Sequence, residues 1–81
     1  MKPTLYQRVG LLQNWPDAGL RRGDVATVVD FAAHPAGGEE GCVLEVFNAI
    51  GESLRVVTVP ISLVTPLTAE DIPAVRRPVV A

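Results

Sequence analysis

Apolar and polar side chains alternate along most of the chain, and this alternation predicts a protein built of β-strands. Glycine or proline interrupts each window that is long enough to carry the i, i+3, i+4, i+7 apolar stripe of a helix. Clusters of turn residues separate the alternating runs. The pattern therefore predicts five strands, at residues 6–12, 24–31, 42–47, 53–59 and 63–67.

The connections between these strands differ in length. Residues 14–23 form a long first connection, and residues 32–41, with three glycines and a proline, form a second loop that we expect to be mobile. Residues 48–51 are short enough for a tight hairpin turn, with Gly51 at the position of positive φ. This spacing predicts an all-β fold, a five-stranded and partly open SH3-like small barrel over residues 5–67.

The last part of the chain, residues 68–81, has two internal prolines and offers no further strand. We expect at most one helical turn there, with Thr68 as its N-cap and Asp71 at N3, followed by a flexible C-terminal tail. The length of 81 residues and the apolar fraction of 48% suit one domain with a small core.

Nine residues between positions 5 and 67 match a pattern that consists of an acidic-Pro loop and motifs of the type Leu-x-x-Gly-Asp-x-Gly-Thr-Val-Val, Val-Glu-Phe and Thr-x-Pro. They are Pro16, Leu20, Gly23, Thr27, Val28, Val29, Glu45, Thr58 and Pro60. In these motifs the chain resembles a domain-of-unknown-function family of short bacterial proteins. It departs from the family pattern at Ala26, where glycine is usual, and at Val46-Phe47, where phenylalanine comes first. The resemblance implies an SH3-like barrel and no catalytic residue.

The charge balance argues against nucleic acid as the partner. Seven Lys and Arg against nine Asp and Glu give a net charge of -2, the wrong sign for a domain that neutralises phosphates. Residues 20–29 nevertheless resemble the KOW element of ribosomal and transcription-factor barrels, in which basic residues beside a glycine turn contact RNA. On this alternative, RNA or the ribosome is bound by Arg8, Arg21, Arg22 and Arg55. The simpler interpretation is a turn that any such barrel needs.

The aromatic residues indicate a protein-binding surface instead. Trp15 lies in the first long connection, where SH3-like domains place aromatic side chains that bind extended peptides, and Tyr6 extends that surface. The competing interpretation is that Trp15 folds under its loop and caps the barrel.

Apolar doublets add a second set of candidates. Pairs such as 28–29, 43–44 and 56–57 place an apolar side chain on both faces of a strand, so one member of each pair faces outward. The candidate binding residues are Val29, Val43 and Val57, with Val28 as the alternative to Val29 and Val56 as the alternative to Val57. A cluster of this kind is typical of an interface, although singly exposed valines are also ordinary on small proteins.

No set of residues predicts catalysis or metal binding. His34, Glu39 and Glu40 lie in the loop expected to be mobile and lack rigid neighbouring ligands, and Cys42 is expected to be a core residue. We therefore expect no enzymatic activity, no metal and no cofactor. A single cysteine, no recognisable leader and no apolar run of membrane-spanning length predict a cytoplasmic protein without a membrane segment.

The sequence as a whole predicts a non-catalytic protein-interaction or accessory module. Its expected partner is another protein, or a second copy in a weak homodimer. The alternative is the KOW-like RNA or ribosome binder.

Overall fold

The computed structural model describes residues 2–33, 37–48, 50–68 and 70–71. Within them, five antiparallel strands form one sheet of order β4-β3-β2-β1-β5. The strands are β1 (Arg8–Leu11), β2 (Val25–Ala32), β3 (Gly41–Phe47), β4 (Ser53–Pro60) and β5 (Val64–Pro66). The prediction of an all-β fold with five strands is therefore confirmed. The sheet is not closed by hydrogen bonds, so β4 and β5 are its two edges.

The helical segments of the described residues are two 3-10 turns. Pro16–Ala18 lies in the connection between β1 and β2, and Ile61–Leu63 joins β4 to β5. No helix in the described part of the chain has the length and apolar character needed to cross a membrane.

One face of the sheet carries the core. Residues directly opposite each other on antiparallel strands share a face, so Leu44 lies with Val28 on β2, and Cys42 lies with Val59 on β4. The alternation seen in the sequence places these side chains inward. The buried apolar residues are Val9, Leu11, Leu20, Ala26, Val28, Cys42, Leu44, Val59 and Val64.

The first connection covers this core. Leu20 is buried, and Trp15 is half-buried and packs against the core residues. The two residues are held together by backbone bonds in both directions, with the Trp15 N–H 2.8 Å from the Leu20 oxygen and the Leu20 N–H 3.1 Å from the Trp15 oxygen. The loop thus uses Trp15 as a cap over the open side of the sheet.

The Gly-Asp pair ahead of β2 builds a tight turn. Gly23 has a φ of +89°, which a glycine adopts at no steric cost. The Asp24 N–H donates to the Arg21 oxygen at 3.0 Å, and the Asp24 carboxylate accepts from the Arg21 N–H at 2.9 Å. The Gly23 N–H also donates to the Leu11 oxygen at 2.8 Å, which ties the turn to β1. These residues therefore have a structural role at the start of β2.

Two irregularities change which side chains face outward. Val28 lies opposite Leu44 and Asp30 lies opposite Val43, so Val29 is the extra residue of a β-bulge. A second shift, on β4, places Arg55 opposite Val46 and Ser53 opposite Phe47, which leaves Leu54 as the extra residue.

The loop after β2 is anchored near β4 by its acidic residues. The Glu39 carboxylate accepts a hydrogen bond from the Ser62 N–H. Bonds from the Ser62 side chain and backbone lower the pKa of Glu39. The Lys2 ammonium lies 2.9 Å from a Glu40 carboxylate oxygen and 4.5 Å from the centre of the Phe31 ring.

The structure also describes the predicted hairpin turn at Gly51 and the predicted turn that begins at Thr68. The φ of Gly51 is +86°, as predicted for the hairpin. Thr68 and Asp71 bond each other, with the Thr68 N–H donating to the Asp71 carboxylate at 2.6 Å and the Asp71 N–H donating to the Thr68 oxygen at 3.1 Å. His34 and the predicted flexible tail at 72–81 lie outside the described residues.

Candidate protein-interaction surface

The face of the sheet opposite the core is called the outer face here. Its central row runs across four strands, because Arg8 lies opposite Thr27, Thr27 opposite Glu45, and Glu45 opposite Val56. The side chains of the outer face on β1 to β4 include Arg8, Val25, Thr27, Asp30, Val43, Glu45, Phe47, Val56 and Thr58.

Apolar side chains are concentrated at the β3–β4 side of the outer face. Val56 is 58% exposed and Phe47 is 40% exposed, and both flank Glu45. Leu54, the extra residue of the β4 bulge, is 48% exposed beside them. Val43, two residues before Glu45, is half-buried on the same face. These four residues of β3 and the edge strand β4 are defined here as the apolar patch, and Glu45 lies between Val43 and Phe47 on β3.

A shallow hollow of about 190 Å³ lies next to the apolar patch. It is lined by Arg8, Val25, Thr27, Phe47 and Asn48, together with Ala26 of the core. The hollow therefore offers an aromatic ring, a guanidinium group and an amide to a bound side chain.

The structure separates the three valine candidates of the sequence analysis. Val43 lies on the outer face, opposite Thr58, and belongs to the apolar patch. Val29 is half-buried as the extra residue of the β2 bulge. Val57 is corrected: it lies opposite the buried Leu44 and packs against the core, so Val56 is the outward member of that doublet.

Sequence reasoning also missed Phe47 and Leu54. The bulge beside the hairpin turn brings both residues to the surface, and a bulge of this kind leaves no mark in the alternation of a short strand. The sequence feature that could have predicted this bulge is the hairpin turn at residues 48–51. Bulges are frequent at the ends of strands that flank such turns, and Phe47 and Leu54 lie on its two sides.

Tyr6 has an unusual backbone. Its φ is +64°, and it is the only residue other than glycine with positive φ among those the structure describes. The Tyr6 N–H donates to the Val28 oxygen at 2.6 Å while the Val28 N–H donates to the Gln7 oxygen at 3.0 Å. Tyr6 and Gln7 thus both pair with Val28 through their backbones, which is the two-against-one pattern of a β-bulge. Tyr6 has the left-handed backbone conformation that glycine favours at the first position of such a bulge. Its side chain is 74% exposed.

This geometry makes a prediction about stability. Replacing Tyr6 with glycine is expected to raise the free energy of unfolding by about 0.5–1 kcal/mol, because glycine removes the left-handed strain at a smaller entropic cost. Tyr6→Ala keeps the strain and serves as the control, with stability close to that of the wild type. Urea unfolding of the three proteins measures the difference. A Tyr6→Gly protein less stable than Tyr6→Ala would contradict the assignment of strain.

The four candidate arginines lie in two places. Arg8 is on the outer face beside the hollow, whereas Arg21 and Arg22 are exposed in the turn before β2. Arg55 projects from the core side of β4 toward the first connection, where its Nη2 would lie 3.6 Å from a methyl group built on Gly19. The Arg22 backbone N–H donates to the Asn14 side chain at 2.9 Å, which holds the turn in place. Arg21 and Arg22 therefore lie in the first connection, Arg55 lies beside it, and Arg8 is separate from these three.

A metal site and a reactive thiol each place requirements on the described residues. No group of three His, Cys, Asp or Glu side chains within the described ranges is arranged to hold a metal ion. Cys42 is fully buried, and burial, followed by the charge of Glu40, raises the pKa of its thiol. A thiol with a raised pKa is a poor nucleophile at neutral pH.

Comparison with known proteins assigns the family of the chain. No curated protein matches the sequence, and no solved structure matches it either. Residues 5–66 match the family model described as "Domain of unknown function (DUF4926)", a stretch that contains all five strands and both 3-10 turns. The chain therefore belongs, over residues 5–66, to the DUF4926 family of domains of unknown function.

Proposed function

We propose that this chain is a non-catalytic protein-interaction module that binds a partner protein through its outer face. The observation that carries the proposal is the apolar patch, in which Val56, Phe47 and Leu54 are exposed side by side at the edge of the sheet. Singly exposed apolar residues need no explanation. Several of them on neighbouring strands at a sheet edge, next to a hollow lined by polar groups, are typical of a protein-binding surface.

The composition of the outer face supports a protein partner over other ligands. Valine, leucine and phenylalanine gain free energy when they leave water, and an aromatic ring with a nearby guanidinium is typical of the residues that contribute most to interfaces. Tyr6, exposed to 74% on a strained backbone, adds an aromatic side chain of the kind enriched in interfaces. The expected setting remains the bacterial cytoplasm.

The alternative function is RNA binding through the first connection. The observation in its favour is the grouping of Arg21, Arg22 and Arg55 around that loop. The net charge of -2 and the presence of Asp17 within the same loop weaken it.

Capture from a nuclease-treated lysate of the source cells tests the proposal. The immobilised wild-type chain is expected to retain a protein partner at about 0.5 M salt, because apolar contacts resist salt while phosphate contacts do not. Val56→Lys is expected to lose that partner, since the lysine places a charge in the centre of the apolar patch. Ile50→Lys is the matched control, because Ile50 is an exposed apolar residue, 81% accessible, at the hairpin turn.

Two results would overturn the proposal. The first is equal retention by the wild type and Val56→Lys. The second is a ligand that is captured only from a parallel lysate without nuclease, is released on raising salt, and is not captured by Arg21→Glu/Arg22→Glu, which would establish the RNA-binding alternative.

A further inference from the structure

The β4 edge is open to a further strand. β4 stands at the end of the strand order, and its register against β3 is regular from Arg55, opposite Val46, to Val59, opposite Cys42. In a regular edge strand, alternate residues direct their N–H and C=O groups away from the sheet. Within the described part of the chain, no residue outside β3 bonds the backbone of β4.

The open stretch has defined ends. The bulge at Leu54 interrupts the ladder on one side, and Pro60, which has no N–H, ends it on the other. Five residues, Arg55–Val59, are therefore left to pair with another chain. This is enough for the strand addition by which several peptide-binding domains recognise extended segments.

The acidic side chains on the outer face near β4 indicate which charge a partner strand carries. Glu45 is the charged side chain on the outer face of β3 and β4, and Asp30 follows on β2, opposite Val43. Two basic side chains come from the strands of the sheet. Arg8 lies on the outer face of β1, two strands from Glu45 and three from the β4 edge, and Arg55 projects to the core side toward Gly19. On the outer face, a strand added to β4 would therefore lie next to Val56 and Thr58 of β4. The Glu45 carboxylate would lie one strand further away, on β3.

We propose that the Arg55–Val59 edge binds an extended strand of a partner protein that carries Lys or Arg at the positions facing the outer face. The added strand lies about 10 Å from β3, two strand spacings away. A lysine stem can cover Val56 while its ammonium group reaches toward Glu45. This inference rests on the proposed function, because it names the partner chemistry and the binding mode of the same surface.

A pair of short peptides tests the charge preference on the full chain. The probes are acetyl-Val-Lys-Val-Lys-Val-amide and acetyl-Val-Glu-Val-Glu-Val-amide, followed by amide shifts in a ¹⁵N-labelled protein. The lysine peptide is expected to cause saturable shifts at Arg55–Val59 and to bind about tenfold more tightly than the glutamate peptide. Glu45→Gln is expected to reduce that preference, and Glu70→Gln, in the Thr68–Asp71 turn, to leave it unchanged.

Backbone methylation of the lysine peptide tests strand addition itself. The N–H groups of alternate residues in an extended strand point to the same edge. Methylating the nitrogens of residues 1, 3 and 5, or of residues 2 and 4, is therefore expected to abolish binding in one peptide and to preserve it in the other. Side-chain docking without strand pairing predicts no such difference between the two.

The inference is overturned by equal behaviour of the two methylated peptides, by shifts confined to the Trp15 loop, or by the absence of saturable shifts. Concentration-dependent shifts at Arg55–Val59 without peptide would overturn it in favour of a second copy. Partner capture that depends on Val56, combined with failure of the peptides, would leave the protein-interaction function standing and remove only the strand-addition mode.

Discussion

Replacing Leu44 with alanine is expected to lower the free energy of unfolding by about 3–4 kcal/mol. Leu44 is fully buried at the centre of β3, between Val28 on β2 and Val57 on β4. The substitution removes three buried carbons and leaves a cavity that the two flanking strands, held by their ladders, cannot fill.

That loss is a large share of the stability of an 81-residue domain, which is about 4–12 kcal/mol in total. The midpoint of thermal unfolding is therefore expected to fall by about 15–25 °C, as measured by circular dichroism. Val43→Ala is the matched control, because Val43 is the adjacent residue on the outer face. Its cost is expected to stay near 1 kcal/mol or below. Equal losses for the two variants would contradict the assignment of the core to the Leu44 side of the sheet.

Replacing Gly41 with alanine is expected to lower the free energy of unfolding by about 1–2 kcal/mol. A Cβ at Gly41 would lie 3.0 Å from the Thr58 Cγ2 methyl and 3.4 Å from the Ala32 oxygen. Alanine would normally stabilise a strand relative to glycine. Here the contact with the Thr58 methyl group outweighs that gain, because the Thr58 side chain must move by a few tenths of an ångström to make room.

A double-mutant cycle isolates the cause of the Gly41 effect. Thr58→Ser removes the methyl group that the new Cβ meets, while it keeps the hydroxyl group. In that background Gly41→Ala is expected to cost about 1 kcal/mol less than in the wild type, as measured by urea unfolding. An unchanged cost would show that the contact with the Ala32 oxygen, rather than the methyl group, requires glycine at this position.

Substitutions in the core and substitutions on the exposed surface are expected to have different effects. Leu44 belongs to the core and Gly41 to the close approach of β2, β3 and β4, so their substitution changes stability. Val56 and Tyr6 are exposed, and their substitution is expected to change partner binding with little loss of stability. Partner capture and unfolding measured on the same variants can therefore distinguish the two roles.

Alternation and turn chemistry in the sequence were sufficient to predict the strands. Each observed strand falls within two residues of its predicted bounds, because a half-buried strand imposes a period of two on its side chains. The turns at Gly51 and at Gly23-Asp24 could also be predicted from the sequence. A positive φ favours glycine, and a short acidic side chain can accept a hydrogen bond from a backbone N–H.

The faces of β2 and β4 were decided only by the tertiary structure. One extra residue in a strand reverses the faces of all the residues after it, and the bulges at Val29 and Leu54 are defined by the partner strands. For this reason the choice between Val56 and Val57 could not be made from the alternation of β4 alone.

The arrangement of the candidate site also depended on long-range pairing. Tyr6 adopts a positive φ because it and Gln7 share one partner on β2, Val28. Arg55 lies near Gly19, 36 residues away along the chain, because its pairing with Val46 places its side chain on the core side of β4. The sequence by itself determined where strands and turns form, since those depend on neighbouring residues. Which side chains meet depended on strand register, a property of residues distant in sequence.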